Sequence, residues 1–150
     1  MIYFEHYLRE GGVTSLASAV ILAPANGEGL CREVADELLD LFPSASVRIL
    51  PESGTIPACD LLVQVFVAPW RFPFHDVVYE SLDRLHGLLR FRDLAGSVMI
   101  YGASWRSVEV VPSGALPGFV RKRRREARLI RLLERSRLLR RLLRPLYDQT

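Results

Sequence analysis

The run Ser18 to Ala23 (Ser-Ala-Val-Ile-Leu-Ala) is apolar at consecutive positions, and after Pro24 to Gly29 the pattern changes period. A strand covered on both faces shows as a continuous β-rich apolar run, not as an alternating one. From Leu30 to Phe42 the residues Leu30, Val34, Leu38 and Leu41 fall on one helical stripe, with Arg32, Glu33, Asp36, Glu37 and Asp40 off it. Strand, glycine-containing turn and helix in this order make the first half of a βαβ unit. In such a unit the turn lies at the carboxyl end of the sheet, where unpaired N–H groups and the positive end of the helix dipole hold an anion. A phosphate-bearing cofactor is the first functional expectation. The plain alternative is that Gly27 and Gly29 serve only the turn.

The rest of the chain repeats the alternation. Residues 1–17 carry Ile2, Tyr3, Phe4, Tyr7 and Leu8 before Gly11-Gly12, and fit either a short helix or an extra edge segment. Ser46 to Leu50 alternates like a less buried strand, and Pro51 to Pro57 is a loop too short for a full crossover helix. Asp60 to Ala68 is a second buried strand, ending in Pro69-Trp70-Arg71-Phe72-Pro73. His75 to Arg90 reads as a helix with Val78, Leu82, Leu85 and Leu89 at helical spacing. Ser97 to Tyr101 is a further strand running into Gly102-Ala103-Ser104-Trp105, and Ser107 to Val111 is a short last strand before Pro112 and Pro117-Gly118. The order predicts a three-layer α/β sandwich on a parallel sheet of about five strands.

Residues 119–147 then form one long helical pattern. Leu129, Ile130, Leu132 and Leu133 share one face, which is expected to dock on the sheet. Leu138, Leu139, Leu142, Leu143 and Leu146 share another, opposite Arg137, Arg140, Arg141 and Arg144. The expected organisation is an N-terminal extension (1–17), one α/β domain (18–135) and a basic amphipathic tail (136–150).

Charge follows the same division. Residues 1–120 hold 8 basic and 14 acidic side chains, and residues 121–150 hold 12 and 3, so an acidic body carries a basic tail within a net charge of +3. Such a tail points to an anionic partner surface, or to the chain's own acidic body. It lacks the interleaved aromatics of single-strand binders, which argues against nucleic acid. Its leucines point to a partner helix, a second copy of the chain, or a membrane surface. With 150 residues and 49% hydrophobic composition the chain fits one domain. No apolar run approaches the roughly 20 residues of a membrane span, and Glu5 and Glu10 stand where a secretory signal carries basic residues. The expected location is cytoplasmic, with a peripheral membrane contact as the alternative. Cys31 and Cys59 have neither CxxC spacing nor partners for a zinc site, and read as reduced, packed thiols.

Three places together resemble the flavodoxin-like NAD(P)H-dependent FMN reductases and quinone reductases: Asn26-Gly27-Glu28-Gly29-Leu30 with the helix after it; Ala68 to Pro73 followed by Leu82-Asp83-Arg84-Leu85; and Leu94-Ala95-Gly96 leading into a strand that ends Gly102-Ala103. The resemblance implies a five-stranded parallel sheet with FMN at its carboxyl edge. It implies that the backbone of Ala25, Asn26, Gly27, Glu28 and Gly29 holds the flavin phosphate. Pro69, Trp70, Arg71 and Phe72 would line the ring, with Gly102, Ala103, Ser104 and Trp105 on its other side. The implied activity passes electrons from NAD(P)H to a quinone or other small acceptor, in a protein that commonly pairs as a dimer. No side chain need act as acid or base, because hydride chemistry belongs to the cofactor.

The loop departs from that family's pattern where Pro24, Ala25, Asn26 and Glu28 replace the usual hydroxyl residues, and Glu28 sets a negative charge beside the phosphate position. The alternative function is therefore a non-catalytic flavodoxin-like adaptor that has lost flavin and binds a protein partner or anionic membrane through its Arg/Leu-rich C-terminal helix. His75 reads as a helix cap, His86 carries no chemistry, Asp83-Arg84 reads as structural, and Trp105 serves core or interface as well as it serves a flavin.

Overall fold

A computed structural model describes residues 4–24, 27–66, 87–102, 107–135, 141, 142 and 144. Five strands form one sheet: β1 (Ser18–Ala23), β2 (Ser46–Pro51), β3 (Cys59–Phe66), β4 (Ala95–Gly102) and β5 (Ser107–Pro112), in the order β2-β1-β3-β4-β5. Three helices appear among the described residues: α1 (Phe4–Glu10), α2 (Glu28–Leu41) and α3 (Leu116–Arg135). The fold is thus α/β on a mostly parallel sheet.

Alternation along the central strands divides the core in two. Ala19, Ile21, Leu61, Val63, Val65, Met99 and Tyr101 point to one face, where Phe4 and Leu8 of α1 and Cys31, Val34 and Leu38 of α2 cover them. Val20, Leu22, Leu62, Val98 and Ile100 point to the other, covered by Ile56, by Leu88 and Phe91 of a 3-10 turn (Leu88–Phe91), and by Leu116 and Val120 of α3. Both faces of β1 and β3 are therefore buried, which is why their sequences are continuous apolar runs. β2 is an edge strand with mostly exposed residues, as its alternating pattern leads one to expect.

Residues 52–58 cross β1 from β2 to β3 without a helix. The strand register requires a return of about 20 Å along the sheet, and eight extended steps reach about 27 Å, so the segment fits nearly stretched. It drops Ile56 into the second core on the way. At the start of β3 the Asp60 carboxylate accepts from the N–H groups of Ala17 (2.9 Å) and Ser18 (3.4 Å), and the Ser18 hydroxyl accepts from Asp60 N–H (3.2 Å). This exchange sets the register of β1 on β3.

Two expectations are corrected. The sheet is not wholly parallel, because β5 pairs antiparallel with β4, Tyr101 opposite Val108 and Gly102 opposite Ser107. Only residues 103–106 join them, and a parallel crossover needs a dozen residues or more. The second correction concerns the face that docks α3. Leu129 and Leu132 are 62% and 64% exposed, while Leu116 and Val120 make the contact. The helix begins three residues earlier than its apolar pattern does, with Pro117 in the first turn, where a missing N–H costs nothing. Twenty helical residues span about 30 Å against about 20 Å for six-residue β5, so the final turns overrun the strand. The helix expected from His75 is described only from Gly87 on, where Leu88–Phe91 form the 3-10 turn, and the tail helix over 137–147 lies outside the described residues apart from 141, 142 and 144.

Residues 4–16 are built into the domain. The Phe4 ring meets Tyr101 edge-on at 5.6 Å and 79°, and Gly11 lies so close to β5 that a Cβ there would meet the Val110 side chain at 2.5 Å. Gly12 follows at φ +84°, a conformation that suits glycine. Phe4→Ala is expected to lower the unfolding free energy by about 3–5 kcal/mol, measured by urea titration. A loss below about 1 kcal/mol would show that α1 merely lies on the surface.

Candidate functional site

Three segments follow strands that run side by side in one direction: 24–27 after β1, 67–73 after β3 and 103–106 after β4. The register sets Leu22 beside Gln64 and Phe66 beside Gly102, so these strands end at one edge of the sheet. The strand order reverses there, with β2 on one side of β1 and β3 on the other, the position at which doubly wound sheets bind ligands. Gly27, Glu28 and Gly29 stand at that edge at the start of α2, and Gly102 at the end of β4. Ala25, Asn26, Pro69, Trp70, Arg71, Phe72, Ala103, Ser104 and Trp105 lie outside the described residues, as do His75, Asp83, Arg84 and His86.

Gly27 is the N-cap of α2, with φ −111° and ψ 11°, a conformation open to other residues. Its N–H donates to the Pro24 carbonyl (3.1 Å), and its carbonyl accepts from Cys31 N–H (3.0 Å). The loop thus spends one of its N–H groups on itself. The N–H groups of Glu28, Gly29 and Leu30 are the ones that have no partner within the helix.

A cleft of about 680 Å³ opens beside them, lined by Ala23, Pro24, Glu28, Arg32, residues 49–51, Glu52 and Ser53. Glu28 lies in the first turn of α2, where the helix dipole favours a carboxylate. Glu52, after β2, brings a second. Its Oε1 accepts from Gln64 Nε2 at 2.8 Å, and its backbone carbonyl accepts from Arg90 at 3.0 Å. Gln64 is a buried polar residue in the heart of β3, and the carboxylate satisfies its amide. Sequence reading missed this group, although Gln64 is the one polar side chain inside the apolar run 61–68 and so called for a partner.

The effect on Cys31 reads out the local field. Burial pushes this thiol's pKa above its ordinary 9.0, and the nearby charges of Glu52 and then Glu28 push it the same way. Arg32, one turn after Glu28, is the cation of the cleft. Glu28 already sets a carboxylate in the first turn of α2, and Glu52 adds a second to the cleft beside Arg32, so the described residues of the loop do not suit a flavin phosphate. They also hold no metal site: no group of three or more His, Cys, Asp or Glu gathers for one among the described residues.

Cys59 is raised as well, by burial first and Asp60 last, against a lowering contact with the Val20 backbone. Both thiols keep their protons in the folded chain at a pH where the unfolded chain releases them. Their contribution is therefore complete below 9.0 and is lost as the pH rises from there through the folded values. Denaturant titrations at rising pH should show that decline, and Glu28→Gln should bring Cys31 ionisation, followed by thiolate absorbance, to lower pH. An unchanged ionisation would leave burial and Glu52 as the causes. No family model, curated protein or solved structure matches the chain, so what this site does rests on its own geometry.

Proposed function

We propose that the chain is a non-catalytic α/β module of flavodoxin-like topology that docks on an acidic protein surface through α3. The observation that carries this reading is the outer face of that helix. Arg121, Lys122, Arg124, Arg125 and Arg128 are exposed there, together with Leu129 and Leu132. Arg123, among the described residues, is engaged by the body of the chain, donating to Glu109 of β5 and also to Glu126 of its own helix while its guanidinium stands 5.2 Å from the Phe119 ring. Arg123 thus anchors the helix, while Arg121, Arg124, Arg125 and Arg128 are exposed. Leucines set among arginines suit a protein surface that offers carboxylates and an apolar spot together. No helix among the described residues is long and apolar enough to cross a membrane.

The second reading is an FMN-dependent reductase acting with NAD(P)H on a quinone or other small acceptor. It is favoured by the strand order, whose reversal at β1 is the flavin position of doubly wound sheets. Against it stand Glu28 and Glu52, whose carboxylates line the cleft at the start of α2. A flavin titration separates the two. The proposed reading expects FMN fluorescence to remain unquenched on mixing and the protein to stay colourless, and a quenched, yellow complex would overturn it. It further expects the full chain to bind a glutamate-rich helical peptide at low salt. Arg125→Glu with Arg128→Glu should weaken that binding by at least about tenfold, the effect of losing two charge pairs and gaining two repulsions. Binding to phosphatidylserine vesicles in place of the peptide would make the surface lipid and the reading wrong.

A further inference from the structure

The outer faces of α2 and α3 match each other. At about 100° per residue, Arg121, Arg125, Arg128 and Leu132 form one line down α3, on the side away from Leu116 and Val120. Gly29, Glu33, Asp36 and Asp40 form one line down α2, on the side away from Cys31, Val34 and Leu38. All eight residues are exposed. The first line steps by four, three and four residues, and the second, followed from Asp40 back to Gly29, steps the same way. Laid antiparallel, the helices bring three arginines against three carboxylates at one repeat of about 1.5 Å per residue. The fourth position sets Leu132 over Gly29, where even a Cβ would find nothing within 4 Å. Arg32, the one basic residue of α2, and Glu126 and Glu134 of α3 lie off these lines.

Within one chain the two lines cannot meet, because α2 covers one face of the sheet and α3 the other. Resting on the docking reading above, we propose that the acidic surface taken by α3 is α2 of a second copy of this chain. Arg121 pairs with Asp40, Arg125 with Asp36, Arg128 with Glu33, and Leu132 packs on Gly29. The contact is heterologous: each copy offers α3 to one neighbour and α2 to another, so copies stack in a row unless the rotation closes a ring. Exposed ion pairs are individually weak, and association through three of them depends on concentration and salt.

The test is sedimentation velocity of the full chain over a range of concentrations at about 0.01 M and about 1 M salt, where the Debye length is about 30 and 3 Å. The expected result is a mass-average above the monomer that grows with concentration at low salt and returns to the monomer at high salt. Asp36→Lys with Asp40→Lys should give monomers, as should Arg121→Glu with Arg125→Glu, and all four together, which exchange the charges of two matched pairs, should associate again. If the fourfold variant loses its circular dichroism, two alanine variants carry the same test. Asp36→Ala/Asp40→Ala chains mixed with Arg125→Ala/Arg128→Ala chains retain one good contact, and should form pairs that stop at two. A wild-type chain that stays monomeric at low salt, or association that survives the Asp36/Asp40 change, overturns the proposal. If that monomer still binds the glutamate-rich peptide, the docking reading stands with another partner; if it binds neither, both fall.

Discussion

Burial of β1 and β3 on both faces is the constraint on which the rest of the structure depends. Ile21, Leu22, Leu61, Leu62, Val63 and Val65 are all within about 1% of full burial, and a strand so apolar is stable only with cover above and below. The chain supplies that cover unevenly. On one face α1 and α2 lay down Phe4, Leu8, Cys31, Val34 and Leu38, while on the other, among the described residues, a stretched segment contributes Ile56, the 3-10 turn Leu88 and Phe91, and α3 Leu116 and Val120. α2 is held on β1 and β2, and α1 and α3 pack against β5 from opposite faces, so the placement of the charged outer faces follows from the two cores.

The same constraint decides what was legible beforehand. Ser18–Ala23 could be read to the residue, because five successive apolar residues between a small-residue entry and a proline suit a strand covered on both faces. The stripe of α2 was legible through Val34 and Leu38, although the helix centres its burial on Cys31 as much as on the leucines. What periodicity does not carry is direction and position. The antiparallel run of β5 depends on the four-residue length of its connection, and the docking of α3 depends on where a 30 Å helix of about that length starts relative to a shorter strand. Leu129 and Leu132 have the spacing of core residues and lie past the point where there is a core to meet. At the candidate site Gly27 and Glu28 were legible as a turn and a charge, whereas Glu52 was not, since nothing local in residues 51–57 shows that it reaches Gln64.

The start of α2 shows why a strand-turn-helix motif underdetermines its chemistry. The topology delivers a helix N-terminus to the carboxyl edge of the sheet whatever the side chains are, and backbone donors alone would favour an anion there. The side chains then reverse that preference. Glu28 satisfies the dipole from within the chain, the Gly27 N–H closes on Pro24, and Glu52 is kept beside the cleft by a buried amide and by Arg90. An incoming phosphate would have to displace or outcompete carboxylates that are already in place.

The same topology segregates charge. An acidic body and a basic C-terminal part would ordinarily neutralise each other by folding together, yet here the topology puts α2 and α3 on opposite faces of a sheet about 10 Å from either helix layer. Through that thickness exposed charges are screened from one another at physiological salt, whose Debye length is about 8 Å. Arg123 shows what the fold does when a cation is to be neutralised internally: it places the guanidinium between Glu109 and Glu126 and over Phe119. Arg121, Arg125 and Arg128, one turn apart on the opposite side, receive no such treatment among the described residues, and neither do Glu33, Asp36 and Asp40 on α2. Two opposite stripes of equal spacing, kept apart by the sheet and turned outward, are surfaces whose complement lies on another molecule.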